Sequence, residues 1–185
     1  MIIQVDPNNS RRLLVYGADN TIIMGKKFRN FEGNERRNPN TGTIINSKGN
    51  RNFNLRITDE YLDLFRSLNC RIKEYGGNPE EGEAPLRYVK VNVNVDSQIP
   101  PDLRIIKSNN TIEPTGMPVD QYKNLDKMFI VYADLTIGMS TSANDGMTSL
   151  WLNVGRFKQY TDPITEKWDV KMEEEGVEPN INDEI

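Results

Sequence analysis

Hydrophobic and polar residues alternate with a period of two along much of this chain, which is the pattern of β-strands with one buried face. In the stretch from 52 to 57, Phe53, Leu55 and Ile57 fall on one face and the polar residues on the other. Four valines alternate with polar residues between 86 and 95 in the same way. The pattern predicts strands over 13–16, 21–31, 52–57, 70–75, 86–95, 102–107, 127–139 and 147–157.

The pattern changes to helical spacing once, directly after the third predicted strand. Leu62, Phe65 and Leu68 recur three residues apart behind acidic residues, and Thr58 precedes them as a predicted N-cap. The segment NPNTG, 38–42, carries strong turn chemistry, which makes the strands on either side of it arms of one extended antiparallel hairpin. A further helical turn is expected near 119–122.

This order of elements predicts a mainly β protein. An OB-like β-barrel with one helix after the third strand, an extended basic β-hairpin and extra strands fits it best. A β-sandwich is the alternative, because periodicity does not show whether a sheet closes. We expect one domain over 1–171. Residues 172–185 have no apolar period and carry six acids and no base, which predicts a flexible, disordered acidic tail.

The amino-acid composition argues against several kinds of catalytic and metal-binding site. The chain has no histidine and one cysteine, Cys70, so Ser-His and Cys-His nucleophile pairs and zinc sites are not expected. No phosphate-binding glycine loop occurs. We therefore predict no enzyme activity, cofactor or metal; a metal-dependent nuclease using scattered carboxylates is the enzymatic alternative. No long apolar run and no signal peptide occur, which predicts an intracellular protein without membrane contact.

Charge is segregated along the chain. The net charge is −4, yet the stretch 26–56, here called the basic arm, carries five arginines and three lysines against Glu32 and Glu35. Arginine suits phosphate and base contacts better than lysine does. We interpret the basic arm as a polyanion-binding surface; the alternative is a solvated hairpin kept soluble by its charges.

Three blocks of the sequence resemble a known family. The run FRNFEGNERRNPNTGTIINSKGNRNFNLRI (28–57), the phrase from 93 to 101 with its IPP, and the strand 146–154 resemble tailed-bacteriophage proteins thought to be single-stranded DNA-binding proteins with an OB fold. The similarity extends from Gly25 to Val154. It implies a protein that coats exposed strands during phage DNA replication or recombination in the host cell cytoplasm. It also implies replication or recombination proteins as partners of the acidic tail.

Binding single strands without reading sequence requires cations along the phosphates and ring faces for the bases. The predicted phosphate contacts are Arg29, Arg36, Arg37 and Arg51, followed by Lys26, Lys27 and Arg56. The predicted stacking residues are Trp151 and Tyr88, with Lys90 beside them, and either Phe28 or Phe31. These two phenylalanines are three apart and cannot share one strand face, so we expect one to stack and the other to pack. Phe53 is assigned to the core, and Tyr160 and Trp168 are expected to pack against the barrel.

Two other functions are compatible with these residues. A virion structural or interaction protein would use the basic arm to hold an acidic neighbour or packaged nucleic acid. An RNA-binding OB-fold protein shares every argument, because neither cations nor rings detect a 2′-hydroxyl.

Overall fold

A computed structural model of the chain describes residues 1–107 and 109–160, with Lys26 and Pro79 described by their backbone alone. The described part is mainly β. Its strands are β1 Ile2–Asp6, β2 Asn9–Ala18, β3 Arg29–Asn30, β4 Arg36–Arg37, β5 Ile44–Asn46, β6 Arg51–Ile57, β7 Lys73–Tyr75, β8 Leu86–Val93, β9 Asp102–Ile106, β10 Ile130–Thr141 and β11 Thr148–Gln159. Its α-helices are α1 Asp59–Ser67 and α2 Lys123–Lys127, and 3-10 turns cover Lys26–Phe28, Pro79–Glu81 and Val119–Gln121.

Nine strands form one mixed sheet in the order β1-β2-β10-β11-β8-β6-β3, with β7 paired to β8 and β9 paired to β11. The long β10–β11 hairpin lies at its centre, as the sequence predicts. β11 runs antiparallel to β10 and parallel to both β8 and β9. β8 in turn runs antiparallel to β6.

The chain that leaves β2 crosses to the far edge of β6. Ile23 forms a β-bridge with Leu55, Met24 donates its N–H to the carbonyl of Asn54 (3.1 Å), and Arg56 donates to Ile22 (2.8 Å). The chain from 9 to 24 therefore pairs with β10 along β2, and with β6 at Ile22, Ile23 and Met24. Over the described residues no closed barrel is detected.

The predicted alternation holds in the central strands. Phe53, Leu55 and Ile57 of β6 are buried, and they meet the buried Val89, Val91 and Val93 of β8 in one hydrophobic core. α1 follows β6 as expected and buries Phe65. Thr58 is its N-cap residue by position, but its buried hydroxyl makes no hydrogen bond in the described structure, so the predicted side-chain cap is missing.

A β-bulge in β11 reverses the predicted alternation. Thr136 pairs with Val154 and Ile137 with Leu152, which leaves Asn153 as an extra residue. Leu152 is buried as predicted, whereas Val154, expected in the interior, is half exposed. Beyond the bulge Gly155 and Phe157 face the core in its place.

Two predictions for the basic arm are wrong. Residues 21–31 do not form one strand: an Asp19 turn, a 3-10 turn and the two-residue β3 interrupt them. The arm is also not one long hairpin, because β3 pairs with β6 while β4 and β5 form a separate two-stranded sheet. The NPNTG turn does close that small sheet: Asn38 and Thr43 are hydrogen-bonded (2.8 Å), and Gly42 takes the φ of +68° that glycine adopts without strain.

The predictions for the acidic tail 172–185, for Trp168 and for the end of the predicted domain at 171 lie outside the described residues. Tyr160 lies inside them, 56% exposed, with its ring edge-on to Phe129 at 6.0 Å. Within the described part of the chain, no helix is both long and apolar enough to cross a bilayer.

Candidate nucleic-acid interface

The strand register places polar, cationic and aromatic side chains together on the face of β6, β8 and β11 that points away from the core. Because Phe53, Leu55, Val89 and Val91 face inward, their neighbours in the strands face outward. We call this surface the outer face. Across it Arg56 lies opposite Tyr88, Asn54 opposite Lys90, Asn52 opposite Asn92, and Asn92 opposite Trp151.

Three aromatic rings meet at one end of the outer face. Phe28 lies edge-on to Tyr75, with ring centroids 5.0 Å apart and planes at 81°, and it contacts Tyr88 at 5.8 Å and 58°. Tyr75 reaches this place because β7 pairs with β8, and it is 50% exposed. We call Phe28, Tyr75 and Tyr88 the ring cluster. Phe28 and Tyr88 are half-buried, so the accessible ring surface of the cluster, which suits stacking on a flat ligand, is mainly that of Tyr75.

Trp151 lies at the other end of the outer face. It belongs to the outward positions of β11 and is 37% exposed, between the buried Leu150 and Leu152. Together with Arg51 and Asn92 it lines a cavity of about 220 Å³, which residues 49, 50 and 93–96 also line. The indole is therefore accessible beside a guanidinium group.

Three cations lie on the outer face near these ring sites: Arg56 and Lys73 lie opposite Tyr88, and Lys90 lies two positions nearer to Trp151. Among the described residues, the half-buried Arg56 makes no side-chain hydrogen bond or ion pair. Partial burial lowers the pKa of the Lys90 ammonium, and the nearby Lys73 ammonium lowers it further. Lys73 is on the same face, because it pairs with Tyr88 across the β7–β8 ladder. These groups give the outer face a positive character with few counter-charges.

Arg29 requires a correction, because it is a structural residue and is 1% exposed. It pairs with Phe53 across the β3–β6 ladder and therefore faces the core. Its guanidinium donates hydrogen bonds to carbonyl oxygens and to one amide oxygen: Met24 (3.1 Å), Leu125 (3.2 Å), Met128 (2.6 Å), Ile23 (2.8 Å) and Asn20 Oδ1 (2.6 Å). Burial lowers the pKa of Arg29 to about 10, so it stays charged at neutral pH. It cannot contact phosphate from this position.

Phe31 requires the same correction. Its ring is fully buried and stacks on Phe53, with centroids 5.3 Å apart and planes at 9°, and it lies edge-on to Phe157 at 6.2 Å. The choice that the sequence left open is therefore decided by packing. Phe31 belongs to the core, and Phe28 belongs to the ring cluster.

The remaining cations of the basic arm differ in availability. Arg36 is half-buried and donates hydrogen bonds to the carbonyl oxygens of Lys27 (2.7 Å) and Arg29, so it stabilises the backbone conformation of the basic arm. Arg37 is exposed but pairs with Glu35 at 2.7 Å. Arg51 donates weakly to Gly49 (3.4 Å), and its buried Nε has no partner in the described structure. Lys27 is exposed at the surface, while Lys26 begins the 3-10 turn.

Sequence reasoning missed Lys73 and Tyr75. Both lie on β7, a strand that the pattern did predict, and they are two positions apart. That spacing puts a cation and a ring on one face of the strand, and it is the signal that could have found them. It also missed the polar rows formed by Asn52, Asn54 and Asn92, although each asparagine was assigned to an outward position.

The described residues offer no metal site, since no three Cys, Asp or Glu side chains lie together in 1–107 and 109–160. Comparisons of the chain with protein-family models, with curated proteins and with solved structures found no match.

Proposed function

We propose that this protein binds single-stranded DNA without sequence preference and coats exposed strands. The observation that carries the proposal is the strand register, which supports one surface holding Tyr88, Lys90, Arg56 and Trp151. Bases stack on exposed rings, each stacked base contributing about 1 to 3 kcal/mol, while cations follow the phosphates. The outer face has both features within three adjacent strands.

The order of the strands supports an OB-like barrel as the scaffold. We count β2 and its continuation to Ile23 as one strand. The order of neighbouring strands is then this strand, β6, β8, β11 and β10, and β10 pairs with β2 again. The OB fold is a partly open five-stranded Greek-key barrel, which binds oligonucleotides on its second and third strands and the flanking loops. The corresponding elements here are β6, β8, the basic arm and the turn 142–147.

The outer-face asparagines Asn52 and Asn92 favour binding that does not read sequence. The Asn92 amide donates to the carbonyl of Leu150 (3.1 Å), and the Asn52 amide donates to Asn46 Oδ1 (2.9 Å). Amide donors that are engaged within the protein are less available to base edges. Stacking and phosphate contacts remain, and neither distinguishes one base from another.

On the expectation that residues 25–154 resemble tailed-bacteriophage proteins, we propose a role in phage DNA replication or recombination in the host cytoplasm. The acidic stretch 172–185 would then contact replication or recombination proteins. Binding of RNA by the same rings and cations is the closest variant of the proposal.

A virion interaction protein is the second candidate, and one observation favours it. Ile45 on the β4–β5 hairpin and Ile99 on the loop after β8 are 67% and 88% exposed, and Ile44 beside Ile45 is also exposed. Exposed isoleucines of this kind suit contact with another protein. That function would not require the outer face.

Fluorescence anisotropy with labelled oligomers tests the proposal. We expect a thymidine oligomer to bind more tightly than a duplex of equal length, and a uridine oligomer measures the RNA variant. Tyr88→Ala should weaken binding about 5- to 150-fold, the equivalent of one lost stacked base. Tyr16→Ala is the matched control, because Tyr16 is an exposed tyrosine on β2, away from the outer face. Absence of binding to every oligomer would favour the interaction protein instead.

A further inference from the structure

A cleft opens beside the outer face, where β8 diverges from β11. It lies between β7, β8, the first residues of β11 and the turn that joins β10 to β11, and its volume is about 470 Å³. The cationic side chains that line it are Arg71, Lys73 and Lys90, and its polar neutral residues include Asn92, Thr148 and Ser149. One carboxylate, Asp145, lies among them.

The carboxylate does not balance the cations. Asp145 lies 3.8 Å from Arg71, and it also accepts the N–H of Met147 at 3.0 Å. Hydrogen bonds from that backbone amide and from Ser142 lower the pKa of Asp145, so it is ionised at neutral pH and offsets part of the Arg71 charge. Lys73 and Lys90 remain, and within the described residues neither ammonium has an ion-pair partner.

The two lysines repel each other in a partly dehydrated place. The pKa of Lys90 is lowered first by burial and second by Lys73, so the protein holds these two charges together at a cost. An anion between them would remove the repulsion and would supply acceptors for the ammonium hydrogens. The cleft is wide enough and open enough to admit a phosphate group.

We propose that this cleft binds one backbone phosphate of the single strand through Lys73 and Lys90; this assignment rests on the proposed function. Lys73 lies opposite Tyr88, and Asn92 lies opposite Trp151, so the cleft lies between the ring cluster and the tryptophan. At about 3.3 Å per residue, the four positions from Tyr88 to Asn92 cover about 13 Å. The phosphate is therefore held midway, and the bases on its two sides extend to the two ring sites.

The test uses the full chain and a pair of methionine substitutions. Lys73→Met with Lys90→Met removes both charges and keeps most of each apolar stem. The control is Lys123→Met with Lys127→Met, which removes two exposed lysines of α2. Thermal melting by circular dichroism establishes that each variant is folded. Sodium tripolyphosphate, which has no bases, is the first probe, and a thymidine oligomer is the second.

We expect tripolyphosphate to shift the backbone amide NMR signals of Asn92 and Thr148, which line the cleft, saturably in the unsubstituted protein and in the control but not in the cleft variant. With the oligomer, the slope of log K against log [salt] should become less negative by about 0.7 in the cleft variant alone. Amide signals of Asn92 and Thr148 that do not respond to tripolyphosphate in the unsubstituted protein, or an unchanged oligomer slope, would overturn the phosphate assignment while leaving strand binding intact. Binding of tripolyphosphate without any binding of the oligomer would instead refute the proposed function and leave an anion site.

Discussion

Arg29 Nη1 donates a hydrogen bond of 2.6 Å to the carbonyl oxygen of Met128, a residue 99 positions away in the chain. The same guanidinium binds Ile23 and Met24, so it joins the segment that leaves β2 to the end of α2. Asp126 reinforces the junction, because its carboxylate accepts the backbone N–H groups of Phe31 (2.8 Å) and Glu32 (3.0 Å). Arg29 of the basic arm is thus a structural residue that stabilises the fold.

Replacing Arg29 by methionine should destabilise the protein strongly without removing a ligand contact. The change leaves several buried carbonyl oxygens without donors, and we expect the free energy of unfolding to fall by about 3 to 5 kcal/mol. Arg29→Lys should recover little, because an ammonium cannot reproduce the planar fork. Urea unfolding measures both variants. Arg37→Met, at an exposed position, is the control, and an equal loss in Arg29→Met and Arg37→Met would contradict the assignment.

Replacing Lys90 by methionine should stabilise the fold while weakening oligonucleotide binding. The folded-state pKa of Lys90 is lowered, so the unfolded chain binds this proton more tightly than the folded one. Stability therefore rises with pH between the folded and unfolded pKa values, and the penalty is fully present at neutral pH. The urea midpoint of Lys90→Met should exceed that of the unsubstituted protein at neutral pH, and the difference should shrink as the pH rises towards 10.5, the ordinary pKa of a lysine. A lower midpoint at pH 7 would show that Lys90 has a stabilising partner.

Among the arginines, Arg56 should contribute more to the salt dependence of binding than Arg37. Arg56 is unpaired in the described structure and lies opposite Tyr88, whereas Arg37 is held by Glu35. Arg56→Met should make the slope of log K against log [salt] less negative by about 0.7, the value for one phosphate, and Arg37→Met should change it less. A salt series with a thymidine oligomer measures both. The opposite ranking would move the electrostatic contacts from the outer face to the β4–β5 hairpin.

Deleting residues 172–185 should tighten binding at low salt. The six carboxylates of this stretch compete with polynucleotide for cationic groups on the same chain, at a high effective concentration. We expect the dissociation constant of the truncated protein to be severalfold lower at low ionic strength and to converge with that of the full chain as salt screens the attraction. Equal affinities across the whole salt series would rule out this competition.

The sequence predicted the central strands well because alternation fixes which residues share a face. It therefore assigned Phe53 to the core and Tyr88 and Trp151 to the outside; Phe53 is buried and Trp151 exposed as predicted, while Tyr88 is half-buried. Alternation does not predict which way a side chain faces where the backbone is not in a strand. The 3-10 turn before β3 interrupts the alternation of inward and outward residues, so Arg29 was assigned to the surface although it faces inward.

Other features depend on contacts that no local pattern contains. The acceptors of Arg29 include Leu125 and Met128, which only the folded chain brings near. The bulge at Asn153 likewise depends on how β11 fits β10, and without it Val154 would have stayed an inward residue. The register of β6, β8 and β11 supplies the surface on which the proposed function can be tested.

Tryptophan fluorescence of the Trp168→Phe protein tests the central claim most directly, because Trp151 is then the one tryptophan in the chain. We predict that a thymidine oligomer quenches this emission saturably, with the same dissociation constant that anisotropy gives, and that an equal concentration of duplex quenches it far less. Tight oligomer binding by anisotropy with unchanged Trp151 emission would contradict a binding site on the outer face.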